Sequence, residues 1–129
     1  MGTNVKKADR NWILMGFPLK EDVYRKLKIF SVVNRVDMRD VLLRVVSESK
    51  EIKNIYAPIK GFKKIQNYSR MKRKDGYRIV DIHGSEKLNS AIKVIGVVND
   101  APASQILNQI IMNNHEDWLA KQRRKQGEK

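Results

Sequence analysis

The chain contains no cysteine, and its 129 residues include only three prolines and few aromatic side chains. The absence of cysteine excludes a disulfide scaffold and a cysteine-ligated zinc site. No apolar run approaches the roughly 20 residues that a membrane-spanning helix needs, and the basic N-terminus lacks the apolar stretch of a secretory signal. We therefore expect a cytoplasmic protein of one domain or two small ones, without a membrane partner.

Features of enzymes and metal proteins are also missing from the sequence. The seven glycines are scattered rather than gathered into a phosphate-binding loop, and His83 and His115 have no partners at metal-ligand spacing. Asp37 and Asp40 have the spacing of a helix cap rather than that of an acid–base pair. These absences favour a protein that is not an enzyme, with no cofactor, no metal and no small-molecule substrate.

Positive charge is abundant, and most of it lies in two places. The net charge is +13, and residues 53–78 alone carry nine basic side chains against Asp75. Residues 119–129 add five basic side chains and one acidic one, whereas residues 79–118 have two basic and five acidic ones. Such a charge distribution attracts polyanions and makes binding dependent on salt, which points to nucleic acid as the partner.

A hidden repeat with a period of 65 residues organises the chain. Leu27–Asn34 aligns without a gap with Ile92–Asn99, and Trp12–Phe17 aligns with Tyr77–Ile82. The aligned positions keep their apolar character, whereas few keep a polar side chain, so one small structural unit is written twice. Because each unit is near the lower size limit for a stable core, we expect the two units to pack on each other.

Each unit combines one short apolar strand with two amphipathic helices. The strand at Trp12–Phe17 precedes a helical pattern that breaks at Asn34–Arg35, and Asp37 is placed to cap a second helix. The second unit repeats this order from Tyr77 onward, with Pro102 at the first position of its second helix. The predicted divisions are a basic N-terminal arm (1–11), a first unit (12–52), a basic connector (53–76), a second unit (77–118) and a basic C-terminal tail (119–129).

A single strand cannot persist in water, so we expect the two strands to pair. The predicted fold is mainly helical with a two-stranded antiparallel ribbon, in which the two strand–helix–helix units form an intramolecular pseudo-dimer. A two-fold relation between the units predicts Met15 opposite Val80 at the ribbon centre. The core-facing side of the ribbon is predicted to be Ile13, Met15, Phe17, Val80 and Ile82. The outward side is predicted to be Trp12, Leu14, Gly16, Pro18, Tyr77, Ile79, Asp81 and His83.

This order of elements resembles the ribbon-helix-helix superfamily of DNA-binding proteins, which includes the Arc, MetJ and CopG repressors. The resemblance covers residues 12–50 and 77–116, and its best segment is Phe17–Val23 followed by Leu27, Phe30 and the turn at Asn34–Arg35. It implies that the ribbon enters the DNA major groove, and that the N-terminus of each second helix binds phosphate. With both units in one chain, the protein looks like a tandem member of the superfamily.

There are three groups of candidate DNA contacts, of which the resemblance implies the first two and the basic charge of the arms suggests the third. On the outward side of the ribbon they are Trp12, Leu14, Gly16, Tyr77, Ile79, Asp81 and His83. At the starts of the second helices they are Arg35, Arg39 and Ser104. In the basic segments, where phosphate contacts position the protein without specifying sequence, they are Lys6, Lys7, Arg10, Arg70, Lys72, Arg73, Lys74, Lys121, Arg123, Arg124 and Lys125.

The ribbon of this chain departs from the superfamily, whose ribbons usually present long polar side chains to bases. Leu14 and Ile79 can contact only thymine methyl groups, and Asp81 can only accept a hydrogen bond from cytosine. Arg35 and Arg39 in the first unit correspond to a second-unit start that offers only Ser104. We therefore expect unequal halves, with a modest or asymmetric site preference.

The predicted function is a transcriptional regulator that binds double-stranded DNA, with several copies able to line up along it. Architectural coating of DNA and an accessory role in a plasmid-transfer relaxosome are the nearest alternatives. An antitoxin-like protein-interaction module is an alternative from another class. Tyr56, Phe62 and Tyr68 between connector lysines leave base stacking in an RNA-binding protein as a further alternative.

Overall fold

The structure, a computed structural model, describes residues 12–127 of the chain. Two strands, β1 (Trp12–Lys20) and β2 (Tyr77–Ser85), form a two-stranded antiparallel ribbon. The helices within the described residues are α1 (Glu21–Asn34), α2 (Met38–Ser47), α3 (Lys50–Lys53), α4 (Glu86–Val98) and α5 (Ala103–Gly127). Two short 3₁₀ turns, Tyr68–Arg70 and Arg73–Asp75, lie in the connector. The predicted combination of a mainly helical chain and one antiparallel ribbon is confirmed.

The register of the ribbon differs from the prediction by two residues. Met15 lies opposite Ile82 rather than Val80, and the central pair is Gly16 with Asp81. These two residues are themselves 65 positions apart, the period of the sequence repeat. A shift of two residues leaves the same side chains on each face, so hydrophobic alternation alone could not distinguish the two registers.

Both strands are also longer than the apolar runs that predicted them. β1 continues through Pro18 to Lys20, and β2 continues through Gly84 to Ser85. Proline is tolerated in a ribbon with free edges because only every second N–H faces the partner strand. Gly84 allows close packing, because a Cβ at this position would require Cε of Met15, the end of a flexible side chain, to move and would approach Cδ2 of Leu88 at 3.1 Å.

The predicted core-facing side of the ribbon is confirmed by burial. Met15, Phe17 and Ile82 are buried, and Ile13 and Val80 are partly buried against the same cluster. The apolar stripes of the helices complete this core, with Val23, Leu27, Val41, Leu42, Val45, Val46, Ile92, Ile95, Ile106, Leu107, Ile110 and Ile111. The ribbon therefore buries one face on the helices and leaves the other for contacts outside the core.

The two turns between helices have the same backbone conformation and the same hydrogen bonds. Arg35 and Asp100, 65 residues apart, both adopt a left-handed conformation, with φ of 54° and 51°. The side-chain amides of Asn34 and Asn99 each donate to the carbonyl oxygen four residues earlier, at 2.9 and 2.8 Å. The hydrophobic repeat is thus accompanied by a repeat of local structure.

The starts of the second helices agree with the sequence to within one residue. Asp37 caps α2, and its carboxylate accepts a hydrogen bond from the amide of Arg39 at 2.8 Å. Helix α5 begins at Ala103, so Pro102 precedes the helix instead of occupying its first position, and its carbonyl accepts from Gln105 and Ile106. None of the helices in residues 12–127 is long and apolar enough to cross a lipid bilayer.

The predicted boundary between the second unit and a C-terminal tail is not a structural boundary. Helix α5 continues without a break from Ala103 to Gly127, and Trp118, Leu119 and Gln122 are buried. The ring of Phe30 packs edge-to-face on Trp118, with 5.0 Å between the ring centroids. Leu119 and Gln122 continue the buried side of α5 beyond Trp118, which the charge count of this segment conceals.

Candidate nucleic-acid interface

The outer face of the ribbon is the side of β1 and β2 directed away from the core. Leu14 and Ile79 are its most prominent side chains, with 58% and 67% of their surface exposed. They are 65 positions apart and lie two residue pairs on either side of the central pair of Gly16 and Asp81. Gly16 and His83 are also exposed. The side chain of Trp12, predicted for this face, lies outside the described part of the structure.

Tyr77 and Pro18 are exceptions to the predicted outward set, because the connector covers their end of the ribbon. Tyr68 in the connector is buried, and its hydroxyl donates a hydrogen bond to the carbonyl oxygen of Pro18. Its ring meets that of Tyr77 edge-on, with 5.8 Å between centroids, and Tyr77 is only 7% exposed. Strand alternation directs Tyr77 outward correctly, but it cannot reveal that another segment packs over it. The accessible outer face therefore ends at Ile79.

Burial of Tyr68 makes the stability of the fold sensitive to alkaline pH. Burial raises the pKa of the Tyr68 phenol, and the neighbouring Tyr77 adds to this shift. The raised pKa favours the neutral phenol in the folded state, so its contribution is fully present below the unfolded pKa of about 10 and is lost as the pH rises further. This side chain alone gives an expected loss of roughly 1.4 kcal/mol per pH unit above that point.

Urea unfolding of wild type and a Tyr68→Phe variant between pH 7 and 11.5 checks this expectation. The variant should be about 1–2 kcal/mol less stable at pH 7, because the carbonyl of Pro18 loses its donor. It should also lose less stability than wild type above pH 10. Tyr56→Phe is the matched control, since Tyr56 is 75% exposed and should leave the profile unchanged. Parallel profiles for wild type and Tyr68→Phe would contradict the assignment.

Arg39 and Asp81 form an ion pair at the centre of the outer face. The Nε atom of Arg39 lies 2.8 Å from Oδ1 of Asp81, and the two side chains remain 53% and 36% exposed. Arg39 is the second residue of α2, whose N-terminus is held by the cap of Asp37, and Asp81 lies opposite Gly16. The pair neutralises the one carboxylate that sequence analysis assigned to this face. It also brings a predicted phosphate contact and a predicted base contact into one group.

The N-terminus of α5 is built differently, with the connector packed beside it. The buried amide of Gln105 donates to the carbonyl of Lys63 at 3.0 Å and accepts from the amide of Ile65 at 3.1 Å. Lys64, between these two residues, lines the same surface hollow as Ala103. Sequence analysis assigned only Ser104 to this helix start and missed Lys64. Gln105 could have indicated this contact, because a polar amide within an apolar helix stripe needs hydrogen-bond partners from another segment when it is buried.

The basic segments are separated by the fold. Arg35, Arg70, Lys72, Arg73 and Lys74 are exposed, and the last four belong to the connector next to the start of β2. Lys121, Arg123, Arg124 and Lys125 are exposed on the last turns of α5. At a rise of 1.5 Å per residue, Arg123 is roughly 28 Å along the helix from Ser104. Lys6, Lys7 and Arg10 lie outside the described residues.

Histidine and acidic side chains do not assemble into a metal site in the described region. No cluster of three or more potential ligands occurs within residues 12–127. His115 is buried, and its Nδ1 lies 3.0–3.1 Å from the carbonyl oxygens of Ile111 and Met112. Its ring is thus part of the packing of α5.

Comparison with known proteins adds no relative to this description. No protein-family model matches the chain, and no curated protein or solved structure shows a significant match. The class that the fold defines is a mainly helical protein with a two-stranded antiparallel ribbon.

Proposed function

We propose that the protein is a tandem ribbon-helix-helix regulator that binds double-stranded DNA with the outer face of its ribbon. The two strand–helix–helix units would be related by an approximate two-fold axis through the central pair of Gly16 and Asp81. Three observations support this relation: the register centred on residues 65 apart, the matched turns at Arg35 and Asp100, and the equivalent exposure of Leu14 and Ile79.

The observation that carries the DNA-binding proposal is the outer face itself, which the helices leave uncovered. A two-stranded ribbon is narrow enough to enter the major groove, about 12 Å wide, and Leu14 and Ile79 can contact thymine methyl groups there. Arg39 places a guanidinium donor at the centre of the face, where its charge balances that of Asp81. A net charge of +13 adds long-range attraction for the phosphate backbone.

The structure also sets the spacing of the expected contacts. Leu14 and Ile79 are four residue pairs apart along the ribbon, or roughly 13 Å at about 3.4 Å per residue. A ribbon that follows the groove would therefore place two thymine contacts about four base pairs apart, at roughly 3.4 Å per pair. By the 65-residue period, Ser104 is the counterpart of Arg39, and Asp81 is the counterpart of Gly16. Because these counterparts differ in chemistry, the two half-sites on DNA should also differ.

Selection from a pool of random-core DNA duplexes tests this function. Protein incubated at moderate salt with excess nonspecific competitor should retain duplexes enriched in a motif with two unequal halves. Retention should weaken steeply as salt rises, because phosphate contacts release counterions. The apolar outer face favours a second candidate, an architectural DNA coat, which predicts salt-sensitive retention without an enriched motif. Failure to retain any duplex at low salt would contradict both functions.

A further inference from the structure

A groove with an apolar floor runs between α1 and the last turns of α5. Its floor is formed by Phe30 and Leu119, and its volume is about 710 Å³. Contacts between the two helices close it at both ends. Lys26 pairs with Glu116 at 3.2 Å, and the amide of Gln126 donates to the side chain of Asn34. The groove therefore lies between two places where side chains of the helices are in contact.

The walls of the groove leave large aliphatic side chains in solvent. Ile29 and Val33 on α1 are 64% and 72% exposed. The positions 65 residues later are Val94 and Val98 on α4, and both are only partly exposed. The two helices carry the same apolar pattern, but only one of them is covered by other residues of the described chain.

The segment that lies beside α4 runs from helix α3 into the start of the connector. Ile52 and Ile55 line a hollow together with Leu88 and Val94 of α4, and Ile59 continues the segment. The amide of Ile59 donates to the side chain of Asn99 at 2.9 Å, at the C-terminal end of α4. The chain thus covers one of two equivalent faces with a short segment whose aliphatic side chains follow an i, i+3, i+7 spacing.

The charges around the groove disfavour binding of the segment 50–60 from a second copy of the chain. Among the residues that line the groove, Lys26 and Arg123 are basic and Glu116 is acidic, and Lys26 is paired with Glu116. Arg124 and Lys125 follow Arg123 on the exposed last turns of α5. The connector segment 50–60 has three lysines and only Glu51 as an acid. Like charges placed opposite each other weaken an interface, whereas opposite charges favour it. An occupant of this groove should therefore combine aliphatic side chains with acidic ones.

We propose that the α1–α5 groove is a docking site for an acidic, aliphatic segment of a partner protein. Two or three aliphatic side chains of the partner, spaced like Ile52, Ile55 and Ile59, would cover Ile29 and Val33. Its carboxylates would face basic residues of α5 such as Arg123. The site does not depend on DNA binding, so a regulator that is bound to DNA could use it to recruit a second protein.

Fluorescence anisotropy with two labelled peptides tests the proposal on the full chain at 0.15 M salt. The first peptide is the segment 50–60 with Lys50, Lys53 and Lys60 replaced by glutamate, and the second is the unchanged segment. The acidic peptide should bind at least tenfold more tightly than the unchanged one. Replacing its three isoleucines with serine should abolish binding, since charge alone does not fill an apolar groove.

Paired surface variants of the protein locate the binding site. Ile29→Asn with Val33→Asn should weaken binding of the acidic peptide at least tenfold. The matched control is Val32→Asn with Val97→Asn, which replaces two equally exposed aliphatic side chains outside the groove and should leave binding unchanged. Circular dichroism checks that both variants keep the helical content of wild type.

Three results would overturn the proposal. Equal loss of binding in both variant pairs would show that the peptide does not bind specifically in this groove. Tighter binding of the unchanged basic peptide would point to a second copy of this chain as the occupant. Absence of binding by the acidic peptide at 1 mM would mean that the groove takes no such segment.

Discussion

Replacing Arg39 with alanine is expected to weaken binding to the selected duplex about 5- to 150-fold and to remove a guanine preference at one position. This magnitude follows from the value of about 1–3 kcal/mol for a bidentate arginine–guanine contact. Competition binding with duplexes that differ only at this position measures the effect. The expected loss is large because the outer face has few other side chains able to donate hydrogen bonds to a base.

The ion pair with Asp81 is the reason to expect base reading by Arg39. The contact engages Nε, so the edge formed by the two terminal nitrogens is left for the O6 and N7 acceptors of guanine. Asp81 restrains the guanidinium group over the ribbon, while Gly16 opposite presents no side chain there. A Cβ at position 16 would meet only the carbonyl of Val80, at 3.9 Å, so the centre of the face has room for a base edge.

Conservative variants separate this role from simple phosphate binding. Arg39→Lys keeps the charge but loses the planar fork, so it should lose the guanine preference while retaining most of the salt dependence. Asp81→Asn should weaken the guanine preference, because Arg39 loses the charged partner that restrains its guanidinium group. Arg25→Ala is the matched control, since Arg25 is an exposed arginine of α1 paired with Glu21. If Arg39→Ala weakened binding equally on every DNA sequence and reduced the slope of log K against log salt by about one, Arg39 would instead contact a phosphate.

Replacing Phe17 with alanine is expected to lower the free energy of unfolding by about 3–5 kcal/mol. Phe17 is 1% exposed on the core-facing side of β1, and truncation of a buried phenylalanine leaves a cavity in addition to the lost transfer energy. Urea unfolding followed by circular dichroism measures the change. A domain of this size commonly has about 5–15 kcal/mol of stability, so the variant should be close to the limit of folding at 37 °C.

Leu14→Ala is the matched variant on the same strand. Leu14 is 58% exposed on the outer face, so its truncation should change stability by no more than about 0.5 kcal/mol. It should instead weaken DNA binding by about 1 kcal/mol through loss of a methyl contact. Similar losses of stability in Phe17→Ala and Leu14→Ala would contradict the assignment of the two faces.

Local patterns in the sequence predicted the order of the strands and main helices and the orientation of the ribbon. The period of two at residues 12–17 and 77–82 directed Phe17 inward and Leu14 outward, because strand side chains alternate between faces. The break at Asn34–Arg35 and the cap at Asp37 placed the end of α1 and the start of α2 within about one residue. These features depend on neighbours in the chain, so they can be read without knowledge of the fold.

The candidate site could be predicted only in part. Sequence analysis identified Arg39 and Asp81 separately, but the ion pair joins residues 42 positions apart on different elements. The burial of Tyr77 follows from Tyr68, and the position of Lys64 follows from bonds to Gln105. A connector of this length has many possible paths, and its sequence does not show which distant residues it will pack against.

The sequence by itself determined a repeated strand–helix–helix unit, a ribbon with one apolar face toward the core, and a strongly basic connector and C-terminal end. Hydrophobic periodicity and charge are properties of each segment, so they can be recognised without knowledge of the rest of the molecule. Only the tertiary structure decided the register, the ion pair on the outer face, the covered end of the ribbon and the open groove on α1. Each of these depends on which distant segment packs against a given surface, and alternatives that bury the same side chains differ only in their three-dimensional contacts.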